Sequence, residues 1–386
     1  MSYKRLFTKS LAADRLHMAA HSHHLWPDAS FEGQVRCWED AAALADRKWD
    51  KIMGEVWTSA AASVSAQMGT GEDYWRRIVF ATNTHDLLVR LVAACPRRAG
   101  GPLRILTSTG EFHSARRQFA RWVEEGSIIV DTVDVEPFDT FADRFADAAR
   151  LDRHDLIFVS QVMFGSGRIV DPIAPICEVA DPAGPWVVID GYHSFMALEY
   201  PFARALSDKA FFLGGGYKYA MAGEGMSFMS CPPGFGERPP ITGWFAEFDD
   251  LTLPPGMVGY APDAMRFMGA TFDPSALYRW NAVYGMLTKE RIDNADINAH
   301  VATLQAQTIE ALHSTVFGAA ELLNPLDGKP HARFLAYRHP DAAKWCEALK
   351  AKHCITDVRG DVIRIGLGLY HDADDIDAFA ALAAAL

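Results

Sequence analysis

An apolar run, Trp186-Val187-Val188-Ile189, closes in Asp190-Gly191-Tyr192-His193. An ionised acid at the end of a buried strand is costly unless it meets a partner. A second run, Ala210-Phe211-Phe212-Leu213, closes in Gly214-Gly215-Gly216-Tyr217-Lys218-Tyr219 and continues as Ala220-Met221-Ala222-Gly223. Three glycines at a strand end let something bulky come close to the backbone. A lysine held among apolar neighbours has a lowered pKa, and its neutral amine is a nucleophile able to form a Schiff base. Taken singly, Asp190 also reads as a helix cap or turn residue, and the triglycine as a flexible turn.

A strand-end Asp followed one strand later by a Lys meets the two chief needs of pyridoxal phosphate. The Lys takes its aldehyde, and the Asp keeps its pyridine nitrogen protonated so that the ring acts as an electron sink. Two further stretches match the rest of that group. Ile78–Thr82 leads into Asn83-Thr84-His85, where Asn83 or Thr84 caps a helix whose free N–H groups suit a phosphate dianion. Phe112, in Thr109-Gly110-Glu111-Phe112-His113-Ser114, offers a stacking ring, with His113 as its rival.

The stretches VVIDGYHSFMALEYPF and AFFLGGGYKYAMAGEGMSF resemble the fold-type-I pyridoxal-phosphate enzymes of the class V aminotransferase superfamily, and most of all their kynureninase branch. The marks are Asp190-x-x-His193, Tyr217-Lys218-Tyr219 and Thr242-Gly243-Trp244. Residues 357–365 resemble the family's late strand with a carboxylate-binding arginine, and LHMAAHSHHLWP its N-terminal segment, which reaches into the active site. The resemblance implies that Lys218 carries the cofactor and shuttles protons, and that Asp190 pairs with the pyridine nitrogen with His193 beside it. It implies that Tyr217, Asn83 and Thr84 hold the phosphate, that Phe112 stacks on the ring, and that Trp244 lines the site. Arg364 would hold the α-carboxylate of an amino-acid substrate by its planar fork. The alternative for Arg364 is a structural ion pair with Asp357 or Asp361. Thr271 would reach the phosphate of a neighbouring subunit, which implies a homodimer with shared sites. The implied chemistry is a kynureninase-like hydrolase or lyase reaction, with transamination as the alternative. Kynureninases follow Gly-Trp with another Trp and a Gly-His pair; here Phe245-Ala246-Glu247 follows Trp244, a departure on the substrate side.

His24, in His21-Ser22-His23-His24, is assigned to the substrate, because this spacing on an irregular segment suits a metal ion poorly. Cys354 precedes Arg364 in what reads as a small-domain strand, not on a mobile loop that would carry a persulfide. Asp249-Asp250 reads as solvated charge. A nucleotide-binding protein without covalent chemistry would need GxGxxG or GxxxxGK[ST], and neither occurs.

The elements that must position these groups alternate. Strand-like runs at 78–82, 104–107, 128–135, 156–161, 186–190, 210–213 and 226–229 are mostly separated by helical patterns, after a helical stretch at 31–68. The expected fold is α/β: a large domain, residues 46–273, with a mostly parallel seven-stranded sheet flanked by helices. A smaller α+β C-terminal domain, 274–386, follows, and an N-terminal segment, 1–45, packs with it.

Composition agrees. The chain has 386 residues, of which 49% are hydrophobic and 22% charged, the balance of an ordinary globular protein. Its 37 basic and 49 acidic residues leave a net charge of −12, with no basic run to attract nucleic acid. No run of 18 apolar residues predicts a membrane span. The N-terminus is too interrupted by charge for a signal peptide, and no CxxC pair occurs among six scattered cysteines. The expected location is the cytoplasm.

Overall fold

The computed structural model describes residues 2–98, 100–248 and 252–386; Asp249-Asp250 lies outside them. After a two-residue strand β1 (Leu16–His17), the chain builds one large sheet. Its strands are β2 (Ile78–Ala81), β3 (Leu103–Ser108), β4 (Ile128–Val133), β5 (Leu156–Ser160), β6 (Trp186–Asp190), β7 (Phe211–Gly215) and β8 (Ser227–Ser230). Their order is β2-β8-β7-β6-β5-β3-β4, and β8 alone runs antiparallel to its neighbours. All seven sequence runs are strands of this sheet. The reversal of β8 has a simple cause: the 216–226 connection from β7 is too short to hold a crossover helix.

β5 and β7 are buried along their whole length, as is β6 up to Asp190. Parallel sheets covered on both faces demand such continuous apolar runs. Helices Thr84–Ala94, His113–Glu124 and Phe141–Ala149 lie between the early strands in sequence and bury one apolar side each. Because β2, β5, β6 and β7 point the same way, Ala81, Ser160, Asp190 and Gly215 all end at one edge of the sheet. Cross-strand register makes this explicit: Ser160 pairs with Asp190, Asp190 with Leu213, and both Ala81 and Gly215 with Ser227.

The glycines at this edge are there for the protein's own rings. A Cβ on Gly214 would lie 2.4 Å from the Phe228 ring, and one on Gly215 would lie 2.5 Å from the Tyr192 ring. The bulky group expected at the triglycine is therefore supplied by the fold itself.

A four-stranded antiparallel sheet follows the long helices Ser275–Glu290 and Asn294–Leu312. Its order is β12 (Asp357–Arg359), β13 (Val362–Gly366), β10 (Phe334–Arg338), β9 (Glu321–Leu322). The N-terminal segment joins it. β1 pairs in parallel with β11 (Cys354–Ile355), and Gly366 N donates to the Met18 carbonyl at 2.8 Å. Lys4 ion-pairs with Asp372 at 2.7 Å and Asp375 at 2.9 Å, in the capping box of the last helix. Further on, helix Asp28–Leu44 lies along Ser275–Glu290, so closely at Gly33 that a Cβ would meet the Tyr278 carbonyl oxygen at 2.5 Å.

Candidate active site

Lys218 stands three residues beyond β7, opposite the end of β6. Its Nζ is 2.5 Å from Nε2 of His193 and lies between the rings of Tyr192 and Phe112, 5.5 and 5.9 Å from their centroids. Burial, and then the Arg364 charge, pull the Lys218 pKa down to about 7, against the opposing pull of Asp190 and Asp357. About half of the amine is thus free at neutral pH, whereas an exposed lysine is almost fully protonated. Asp190 closes β6 with Oδ1 accepting from the Tyr192 amide at 3.0 Å. Burial raises its pKa, while that amide and Lys218 hold it down.

His193 is buried, and desolvation followed by the Lys218 charge keeps it neutral, well below its ordinary range. A neutral ring accepting at Nε2 carries its proton at Nδ1, facing the Tyr219 hydroxyl at 3.4 Å. Tyr217, beside Lys218, shares a 3.1 Å hydrogen bond with Nδ1 of His23.

Asn83 caps helix Thr84–Ala94: its Oδ1 accepts from the Asp86 amide at 2.9 Å. This helix opens two strand spacings, about 10 Å, from β7 at the same edge of the sheet. Phe112 caps the next helix, is 40% exposed, and meets Phe164 edge-on at 5.3 Å.

Arg364, on β13, is buried between two rings, its Cζ 5.9 Å from Phe164 and 5.7 Å from Phe334. Nη1 donates to the Phe164 carbonyl, Nη2 to Oδ2 of Asp357, and Nε has no partner among the described residues. The ion pair with Asp357 weighed from sequence is present.

His24 departs from its expected place. Its ring packs against Tyr370 and Phe7, and Nδ1 bonds the Leu25 carbonyl at 2.7 Å. The bare backbones of Gly366 and Gly368 seat His21 and His24 separately. It is His21 that stacks on Phe334, at 4.7 Å, among the charges of Arg364 and Lys218. Trp244 and Thr271 share an exposed patch joined by the Phe245 amide to the Gly269 carbonyl at 3.2 Å. No contact among the described residues joins either to Lys218.

Sequence reasoning passed over Glu111, Phe164 and Phe334. Glu111 is fully buried; its carboxylate accepts from Ser108 Oγ, from Ser160 N at 3.0 Å and from Ser160 Oγ at 2.6 Å. An acid between a strand end and a helix start was the available signal.

The residues of this site fit pyridoxal phosphate. A low-pKa amine, an acid one strand away, a half-exposed phenyl ring and a capped helix start lie along one sheet edge, and they are the donor set the group requires. The family model of the kynureninase C-terminal domain matches residues 297–382, which include Phe334, Asp357 and Arg364. Isopenicillin N epimerase of Streptomyces clavuligerus is 31% identical over 186 residues, 46% of this chain and 45% of that protein. Kynureninase of Geobacillus thermodenitrificans is 24% identical over 243 residues, 57% of this chain and 52% of that one. The chain therefore spans about half the length of these curated relatives in each match. The apo structure of a cysteine desulfurase from Thermococcus onnurineus shares the fold, with TM-score 0.80 at 15% identity over 99% of this chain and 97% of that one.

The chain has the fold of that structure, and over part of its length it is similar to class V pyridoxal-phosphate enzymes. Cys354 is buried in β11, and burial pushes its thiol up to about 12. Among the described residues no helix is long and apolar enough to cross a membrane.

Proposed function

We propose that this chain is a class V enzyme that holds pyridoxal phosphate at Lys218 and acts on an amino acid by kynureninase-like hydrolase or lyase chemistry, cleaving a bond at the β or γ carbon. The observation that carries the reading is the cluster of Lys218, His193 and Asp190 at adjoining strand ends, with the lysine pKa lowered to about 7. Asp190 would pair with the pyridine nitrogen, Phe112 would stack on the ring, and Asn83, Thr84 and Tyr217 would hold the phosphate. When bound, the group supplies an electron sink for the carbon whose bond is broken.

The chain's own residues do the rest. Lys218 presents a neutral amine and moves protons, and neutral His193 accepts its hydrogen bond at Nε2. Arg364 would face the α-carboxylate, with the Phe164 and Phe334 rings beside its guanidinium. Trp244 lines the substrate side. Thr271, exposed on its patch, supports a homodimer in which it reaches a neighbour's phosphate. Six unpaired cysteines support a reducing, cytoplasmic location.

The test is a screen of amino acids, kynurenine and alanine included, with product analysis on the loaded enzyme. Cleaved side-chain fragments support the reading. A keto acid formed with the amine passed to a second keto acid would replace it with transamination.

A further inference from the structure

His21 is the one buried histidine in the site whose two ring nitrogens both lack a hydrogen-bond partner among the described residues. Leaving such groups unsatisfied is expensive, about 1–3 kcal/mol apiece. The position is built with care. A Cβ on Gly366 would fall 2.1 Å from Nδ1, so only glycine admits the ring. The opposite face stacks on Phe334 at an interplanar angle of 26°. Backbone bonds from Gly366 to Met18 and from Ala20 to Gly366, at 2.8 and 3.1 Å, latch the segment in place two residues from Arg364. What remains open is Nε2, which points to Asp357 Oδ2 from 3.7 Å, too far for a hydrogen bond by under about 1 Å.

Asp357 Oδ2 is taken by Nη2 of Arg364. A planar guanidinium offers two edges where a carboxylate meets two N–H groups at once: Nε with Nη2, and Nη1 with Nη2. Both include Nη2. Nη1 is already given to the Phe164 carbonyl, whereas Nε is buried and idle. The edge with an unused nitrogen is therefore Nε with Nη2, and Asp357 is bound at its Nη2 end. A ligand carboxylate that grips Nε and Nη2 meets Asp357 as a competing anion on the same nitrogen.

We propose that Asp357 is a built-in counter-ion of Arg364 which an incoming carboxylate displaces, and that His21 receives the displaced Asp357 side chain through Nε2. The inference rests on the reading that Arg364 takes the substrate carboxylate. Arg359 holds the other oxygen, Oδ1, at 3.0 Å, so Asp357 pivots about that bond without leaving. In the paired state the cation is neutralised and His21 idles. In the exchanged state all three groups have partners. Selectivity follows: a neutral ligand offers Arg364 nothing to replace Asp357 and leaves the pair closed. His21 and Asp357 are positioning residues in this scheme, acting through Arg364.

The experiment titrates the cofactor-loaded full chain with 3-phenylpropionate, a carboxylate with no amine to react at Lys218 and an aromatic body suited to Phe112, Phe164 and Phe334. 3-Phenylpropionamide is the neutral control, and circular dichroism checks the fold of each variant. Asp357→Asn should bind the acid about tenfold more tightly, since the competing anion is gone. His21→Phe should bind it about tenfold more weakly. His21→Gln, whose amide N–H reaches about as far as Nε2 and can still donate to Asp357, should stay within about threefold of the native protein. Unchanged or weaker binding by Asp357→Asn would make Asp357 a buttress and overturn the exchange. So would native binding by a folded His21→Phe variant, or loss in His21→Gln equal to that in His21→Phe. A different result sinks the parent reading instead: no binding of the acid to the native protein, or full binding by Arg364→Ala, would mean that Arg364 is not the carboxylate site.

Discussion

Nζ of Lys218 lies 2.5 Å from Nε2 of His193, and His193 in turn faces the Tyr219 hydroxyl through Nδ1. The imidazole is held neutral, so it accepts from the lysine whether or not that lysine carries its last proton. With a pKa of about 7, Lys218 is half deprotonated near neutrality. Capture of pyridoxal phosphate by cofactor-free protein should accelerate as pH rises to about 7 and then level off. An ordinary lysine would keep gaining rate past pH 9. Borohydride reduction and peptide mapping should find the pyridoxyl group on Lys218, and Lys218→Ala should lose it. Recovery on Lys209 would overturn the assignment.

Asp190→Ala should keep the covalent link and lose turnover. The carboxylate ends β6 in register with Leu213 of the strand that leads to Lys218. Without it the pyridine nitrogen has no anion to hold its proton. Loss of one charge-assisted hydrogen bond in an enclosed site, amplified in the transition state, should lower kcat by at least ~100-fold. Near-normal kcat with a bound, reducible cofactor would assign another group to that nitrogen.

Glu111 gives the protein a pH dependence of its own. Burial raises its pKa from 4.5 to about 7, against the hydrogen bonds from Ser108 and Ser160. Between those values the folded state binds one more proton than the unfolded chain. Stability from this group is therefore complete below about pH 4.5 and is lost as pH rises through 7. Glu111→Gln removes the titration and keeps the size. Denaturant unfolding at pH 5 and pH 7.5 should show the difference between Gln variant and native protein moving in favour of Gln by about 1–3 kcal/mol. A pH-independent difference would mean Glu111 is ionised throughout.

The strand runs of the large sheet and the placement of Asp190 and Lys218 after adjoining strands were legible because each is local: an apolar stretch, then the polar residue that follows it. What tertiary contact decides was not. The antiparallel insertion of β8 between β2 and β7 depends on partners far apart in sequence, and β9 is two residues long, below any periodic signal. His24 and His21 sit three residues apart in an irregular segment with no periodicity to orient them; glycines 366 and 368, over 300 residues away, choose which ring faces Arg364. The triglycine was visible, but not that Tyr192 and Phe228 fill the room it leaves. Asp357 was visible as a partner for Arg364, and the unpaired Nε beside it was not.

Gly191 should be the least replaceable residue at the sheet edge. It follows Asp190 directly, and a Cβ there would lie 1.8 Å from one carbon of the Phe212 ring and within 2.6 Å of two more. Phe212 is fully buried in β7 and cannot swing aside without opening the core. Either β6 withdraws from β7 or the turn carrying Tyr192 and His193 lifts, and both separate Asp190 from Lys218. Overpacking of this kind costs typically about 1–3 kcal/mol, occasionally more. Gly191→Ala should therefore lower Tm and weaken cofactor retention together. Gly285 is the matched control: it lies exposed in helix Ser275–Glu290 with nothing within 4 Å of an added Cβ. Gly285→Ala should raise stability by roughly 0.5–1 kcal/mol from helix propensity and leave the cofactor in place. If Gly191→Ala melts and binds pyridoxal phosphate like the native protein, β6 and β7 are not locked at this edge, and the spacing of Asp190 from Lys218 must be set elsewhere.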